Sequence, residues 1–169
     1  MHTLICGTTL SGKTTLAKKL CASLSKSGHK CVVLTPLGDK WEADLVTDDP
    51  SIFMDAFVNN TDMFCFMDEA KETVGRYNEE MAMTANRGRH WGHSCFYIPQ
   101  RVQAVATDVR GQCHQLFCFA VGVGDSKVLA EEWNNPELLK APDLNQGEYI
   151  RVMRFGKDRK KFAERGRVF

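Results

Sequence analysis

No stretch of this sequence stays apolar for long enough to cross a bilayer. The longest runs, Met63 to Met67 and Leu116 to Val121, fall far short of the ~18–20 residues of a spanning helix, so no membrane span is expected. The opening His2-Thr3-Leu4-Ile5-Cys6 lacks the basic and apolar regions of a secretory signal, which makes a cytosolic protein the expectation. There is no CxxC pair among the seven cysteines. An odd number of thiols set in apolar stretches such as Phe64-Cys65-Phe66 argues for buried, reduced side chains rather than a disulfide framework. Neither sign of charge dominates: 22 Lys and Arg stand against 21 Asp and Glu, a formal net charge of +1. Proline is scarce, five in 169 residues, and no repeat or low-complexity tract is present.

What is there reads as one globular domain over 1–169, with 43% apolar and 25% charged side chains. A chain of this length buries roughly 70% of its unfolded surface and needs no staple. Strand-like runs alternate with helix-like ones, the pattern of an α/β fold with a mostly parallel sheet. Strands are expected at Thr3 to Cys6, Cys31 to Leu34, Met63 to Met67, Cys95 to Ile98 and Leu116 to Val121, giving a five-stranded core over about 1–122. Between them, Leu16, Leu20 and Leu24 recur at steps of four in a helix over Thr14 to Ser25. Asp49-Pro50 opens a second helix as N-cap and N1 proline, with Ile52, Phe53, Ala56 and Phe57 inward. A third helix runs from Glu69 to about Ala85, with Lys71, Glu79 and Glu80 on its wet face. The remainder, about 123–169, reads as a helix over Asp125 to Trp133, then a C-terminal β-hairpin from Glu148 to Phe155 and Lys161 to Val168.

The balanced total hides an uneven distribution. Between Tyr149 and Phe169 eight basic side chains (Arg151, Arg154, Lys157, Arg159, Lys160, Lys161, Arg165, Arg167) face only Asp158 and Glu164. That segment carries +6 and the rest of the chain about −5. Such a surface is either a solvated hairpin face or a contact for a phosphate backbone.

Gly7-Thr8-Thr9-Leu10-Ser11-Gly12-Lys13-Thr14 satisfies G-x-x-x-x-G-K-[ST] in full, directly after an expected strand and before an expected helix. The physics of that spacing is a phosphate cradle. Glycines let the backbone wrap the β-phosphate, its N–H groups and the helix dipole face the anion, and Thr15 extends the helix start. Lys13 then bridges the β- and γ-phosphates of ATP, and Thr14 offers its hydroxyl to Mg²⁺, a cation that seeks oxygen ligands. The five apolar residues Met63 to Met67 end in Asp68-Glu69, the Walker B pattern. Asp68 is expected in the Mg²⁺ shell and Glu69 as the general base that polarises water, which favours hydrolysis over transfer to a small molecule. Gln100 closes the next strand after Pro99. It reaches the γ-phosphate if that strand lies between the other two.

His90-Trp91-Gly92-His93 with Cys95, and Cys113-His114 with Cys118, lack the tight cysteine pairs of a structural zinc site; loop histidines ahead of a buried strand are expected. Trp91, Trp133 and Phe155 could stack on a base, though core or interface packing is the ordinary role of such rings.

The order of P-loop, Asp68-Glu69, the Gly88-Arg89-His90-Trp91-Gly92 loop and a strand ending in Gln100 resembles the HerA/FtsK branch of P-loop ATPases, most closely viral genome-packaging ATPases. The resemblance covers roughly 1–122, and Gly147-Glu148-Tyr149-Ile150 is more loosely similar to the family's terminal strand. It implies a ring motor, pentamer or hexamer, whose ATP sites are completed by a neighbour's arginine, with Arg89, Arg101 and Arg110 as candidates. It also implies a nucleic-acid partner, double-stranded DNA first, and, for a viral protein, contacts with other virion or membrane-vertex components in the host cytoplasm or virion. No nuclease-like carboxylate cluster follows residue 122, so DNA cutting is not expected. Two other classes stay open. One is a non-translocating ATPase switch in assembly or secretion. The other is a nucleoside kinase, since Ser11 to Thr15 and Asp68-Glu69 are also similar to thymidine-kinase-like enzymes, although their paired zinc cysteines and late lasso are not recognisable here.

Overall fold

The computed structural model describes residues 1–68, 74–155 and 163–169, with the main chain alone at 74–78, 80 and 81. The strands are β1 (His2–Cys6), β2 (Cys31–Leu34), β3 (Leu45–Thr47), β4 (Phe64–Asp68), β5 (Ser94–Ile98), β6 (Cys113–Cys118), β7 (Glu148–Met153) and β8 (Ala163–Arg167). The helices are α1 (Lys13–Lys26), α2 (Pro50–Val58), α3 (Val74–Arg87), α4 (Thr107–Gln112) and α5 (Val123–Glu132), with short 3₁₀ turns at Gly88–Trp91, Val102–Ala104 and Pro136–Asp143. All strands join one sheet in the order β3-β2-β4-β5-β1-β6-β7-β8. The first six are mutually parallel, and the edge is closed by β7, antiparallel to β6, and by β8, antiparallel to β7.

This is the expected α/β architecture with a C-terminal hairpin, but with six parallel strands where five were expected. The extra strand is β3, which pairs Leu45, Val46 and Thr47 with Val32, Val33 and Leu34 at the sheet edge. The expected fifth strand is displaced: β6 begins at Cys113, and Phe119 to Val121 leave the ladder. Phe119 instead donates its N–H to Cys6 O at 2.9 Å, and Ala120 accepts from Thr8 N at 2.8 Å, so this apolar segment braces the loop after β1.

Strand alternation builds two cores. Leu4 and Cys6, Val32 and Leu34, Cys65 and Met67, and Cys95 and Tyr97 face the side covered by α2, α4 and α5. Ile5, Cys31, Val33, Phe66, Phe96 and Ile98 face α1, which contributes Leu16, Ala17 and Cys21. The Phe66 and Phe96 rings stack there at 4.3 Å and 9°, a contact worth ~0.5–1.5 kcal/mol beyond its buried area. Asp49 caps α2 by accepting from Ser51 N at 2.7 Å, with Pro50 in the first turn. Phe53 and Phe57 are buried as expected; Ile52 is 50% exposed, because it lies on the outer flank of this short helix.

The seven thiols are all buried and unbridged. His93 is a core residue: its Nδ1 accepts from Met63 N at 3.1 Å, so its Nε2–H donates to Phe57 O at 2.9 Å. Trp133 is buried beneath the Arg154 guanidinium, 4.4 Å from its ring centre, and Trp91 packs edge-on against Phe57. Phe155 is exposed beside His114. No helix among the described residues is long and apolar enough to cross a membrane.

Candidate nucleotide site

The site grows from the C-terminal end of β1. The chain turns at Gly7, where a side chain would place a Cβ 2.6 Å from both Phe119 Cβ and Ser11 Oγ; only hydrogen fits. Leu10 turns the loop outward at φ 63° and is 81% exposed. Gly12 stands at φ 113° as the N-cap of α1, a conformation that L side chains rarely adopt. The first N–H groups of α1, at Lys13, Thr14 and Thr15, therefore open onto the loop, where helix geometry leaves them without intrahelical acceptors.

Lys13 is 5% exposed, and its ammonium donates to Gly7 O and Thr8 O at 2.9 Å each. A cation held at the mouth of this turn, beside the open N–H groups of α1, suits an anion. Thr14 Oγ1 donates to Asp68 Oδ1 at 3.4 Å, and Asp68 is 1% exposed at the end of β4. A hydroxyl and a carboxylate in contact are the hard oxygen donors that Mg²⁺ takes, so these residues fit that ion. Ser11 Oγ is buried without a hydrogen-bond partner among the described residues. Cys6, immediately before the loop, has its thiol pushed well up by hydrogen bonding with Cys118 and by burial. It stays protonated and offers no competing anion.

The condition on Gln100 is met, because β5 lies between β4 and β1. Gln100 and Arg101 share a cleft of about 570 Å³ with Gly7, Thr8 and Thr9, also lined by Gln103 and Asp125. A second cleft of about 300 Å³ lies against the other flank of the loop, from Thr9 to Thr15, and is closed by Gln146 and Phe169. Sequence reading missed these last two. The only local signal was the turn at Asn145-Gln146-Gly147, and nothing local links it to a loop over a hundred residues earlier. Glu69 lies outside the described residues.

No protein-family description matches the sequence, and no curated protein does. Solved structures do match. The DNA-packaging ATPase B204 of Sulfolobus turreted icosahedral virus superposes with a TM-score of 0.77 at 14% identity, over 98% of this chain and 96% of that one. The genome-packaging NTPase B204 of Sulfolobus turreted icosahedral virus 2, in complex with AMP, gives 0.73 at 15% identity over the same shares. The chain has the fold of these ATPases. That fold extends to the cytoplasmic domain of the type VII secretion ATPase EccC of Thermomonospora curvata, with a TM-score of 0.70 at 13% identity over 98% of this chain and 25% of that one.

Within this ATPase fold the three candidate arginines separate. Arg110 is 6% exposed. It donates to Glu132 through Nε at 3.0 Å and Nη2 at 2.6 Å, to Val102 O at 3.3 Å, to Val105 O at 2.5 Å and to Thr107 Oγ1 at 3.3 Å. Its fork is fully occupied inside its own chain, so of the three candidates it is the one already committed to structural contacts. Arg101 is exposed in the cleft of its own phosphate loop. Arg89 is exposed and donates to Gln112 at 3.4 Å, at the edge where β5 and β6 begin. The phosphate loop follows the opposite end of these parallel strands, a separation of roughly 15 Å for a five-residue strand.

The basic segment is thinner than its sequence implies. Arg154 donates to Cys113 O at 3.1 Å, Glu132 O at 2.9 Å and Arg110 O at 3.4 Å, tying β7 to the core. Arg151 pairs with Glu164 and Gln115 at 3.3 Å each. Arg165 and Arg167 are exposed on β8. Lys157, Arg159, Lys160 and Lys161 lie outside the described residues.

Proposed function

We propose that this chain is a Mg²⁺-dependent ATPase, 1–169 forming its single catalytic domain, that works as a ring motor to translocate or package nucleic acid, double-stranded DNA first. The observation that carries the reading is the convergence of Lys13, Thr14, Asp68 and Gln100 on one loop at the C-terminal ends of adjacent parallel strands. Open parallel sheets bind their ligands at such a place. Gly7, Thr8, Thr9, Leu10, Ser11, Gly12, Lys13, Thr14 and Thr15 form the phosphate cradle in this assignment. Bound Mg²⁺ supplies charge neutralisation for the phosphates. Thr14 and Asp68 would hold that ion, Gln100 would orient the water, and Glu69 would take its proton.

Arg89 is the arginine we assign to the neighbouring subunit's site. It is exposed at the sheet edge away from its own loop, so it serves another copy or none. Arg101 acts within its own chain, beside Gln100. Exposed Arg165 and Arg167, with the charges at 157–161, supply the contact to a phosphate backbone.

Steady-state ATP hydrolysis measured against protein concentration, with and without double-stranded DNA and with Lys13→Ala as the blank, tests the whole reading. A rate per subunit that rises with concentration and again with DNA is expected. A rate indifferent to both refutes the ring motor; phosphate transferred to an added nucleoside instead of water would identify a kinase. The shared fold with a secretion ATPase makes an assembly or secretion switch the second reading, and it predicts concentration dependence without a DNA response.

A further inference from the structure

The cleft closed by Gln146 and Phe169 is assigned no role by the phosphate chemistry, yet it is built with care. Gly147 N ties its far wall to the loop by donating to Ser11 O at 3.0 Å, Val168 N donates to Gly147 O at 2.9 Å, and the Lys19 ammonium of α1 donates to Val168 O at 2.6 Å. Val168 is buried by these anchors, while the adjoining Phe169 ring is 57% exposed. The ring sits where a side chain at Gly147 would stand, since a Cβ there would meet it at 2.8 Å, and it comes into van der Waals reach of Gly12. Gly147 also has φ 83°, so this position stays bare and the ring can share one cleft with the start of α1. Gln146 donates Nε2 to Leu10 O at 3.0 Å, which fixes its amide and leaves Oε1 with no partner among the described residues.

We propose that Phe169 and Gln146 form the nucleobase subsite of this loop. The inference rests on the phosphate-loop reading and adds its base specificity. A triphosphate whose γ end lies toward Asp68 and Gln100 runs along the loop to Thr15, and the sugar and base then leave on the flank that carries this cleft. Its walls from outside the loop are Phe169 and Gln146. A phenyl face stacks on any base. The amide gives one N–H to Leu10 O and keeps its second N–H beside the open Oε1, a donor–acceptor edge that matches the amino group and adjacent ring nitrogen of adenine. The subsite therefore prefers adenine to guanine at the six position.

Calorimetric titration of the wild type, Phe169→Ala, Phe169→Trp, Gln146→Ala and Lys13→Ala with ATP, GTP and inorganic tripolyphosphate, all with Mg²⁺, tests it. Stacking on an aromatic face predicts that Phe169→Ala weakens ATP by about 5- to 150-fold and leaves tripolyphosphate within twofold, which also shows that the variant is folded. Phe169→Trp restores ATP binding, and Gln146→Ala narrows the preference for ATP over GTP. Equal losses for ATP and tripolyphosphate, or none for ATP, overturn the subsite while Lys13→Ala still abolishes both. A wild type that binds neither ligand, or a Lys13→Ala variant that binds both normally, overturns the phosphate-loop reading and the subsite with it.

Discussion

Replacing Arg110 by alanine separates a structural arginine from one that reaches into a neighbour's active site. The side chain is 8% exposed and its partner Glu132 is 23% exposed, with 2.6 Å between Nη2 and Oε1. Removing the guanidinium leaves that carboxylate in a largely dry place and strips donors from the carbonyls of Val102 and Val105. Breaking such a buried pair from one side costs about 3–5 kcal/mol. Water entering the vacated space repairs part of the carbonyl loss, so the full sum of several unsatisfied groups is not expected. For a domain of this size each kcal/mol lowers the melting temperature by roughly 2–4 °C, which gives a fall of roughly 6–20 °C. A circular-dichroism melt reads it directly. Arg110→Met with Glu132→Leu should recover much of the loss, since an apolar pair of similar volume replaces a buried ion pair at little cost. If Arg110→Ala melts within about 2 °C of wild type, and loses hydrolysis only in the assembled protein, Arg110 is a trans arginine and the structural argument fails.

Gln100→Ala should retain ATP binding within a few-fold and lower the turnover rate by about 10²–10⁴, the scale of a water-positioning group; an unchanged rate in a phosphate-release assay would remove Gln100 from the site. Gly7→Ala must force Phe119 or Ser11 to move, because the new Cβ would stand 2.6 Å from both. Overpacking of that kind costs about 1–3 kcal/mol, and nucleotide affinity should fall with it; a variant with wild-type melting and ATP affinity would contradict the described loop. The Cys113 thiol is pushed up to about 12 by burial and by the neighbouring Cys95, from an ordinary value of 9.0. A raised folded-state value means that this thiol supports the fold fully below about pH 9 and that its contribution is lost between pH 9 and 12. Stability measured by urea titration should therefore decline across that window, and Cys113→Ala should flatten the slope. With all seven thiols buried, a thiol reagent at pH 8 should label native protein only after denaturant is added, and immediate labelling would refute the packing.

Elements whose signals are local were legible in the sequence. β2 spans the residues its β-rich run and following Pro36 implied, and α2 begins at Pro50 because Asp49 caps it through its own side chain. β3 was not legible, since three residues become a strand only through the exposed ladder of β2. The misplaced end of β6 has the same kind of cause. Phe119 to Val121 are apolar enough for a strand, but the loop after β1 takes their hydrogen bonds. Charge misled in the opposite way. Arg110, Arg151 and Arg154 look like surface cations in the sequence, and each is held by acceptors contributed from distant elements.

The site divides along the same line. A phosphate loop is one continuous segment whose chemistry is its backbone, so eight residues announce it wherever they occur. Asp68 and Gln100 were legible one step further out, because an apolar strand ending in a polar residue places that residue at a sheet edge, and the strand order then decides what it meets. The remaining wall needs the whole topology. Gln146 and Phe169 reach the loop only because β7 runs antiparallel to β6 and β8 antiparallel to β7, bringing the segment before β7 and the segment after β8 back to the edge where the phosphate loop lies. Register completes the argument: Glu148 stands opposite Arg167, so Gln146 and Phe169 are each two residues beyond the last ladder pair and meet on the same side of the loop. A shift of one residue in that pairing would turn one of the two away, and the cleft would lose a wall while the phosphate loop remained intact. The proposed base subsite of this chain therefore depends on the hairpin register, whereas the phosphate loop does not.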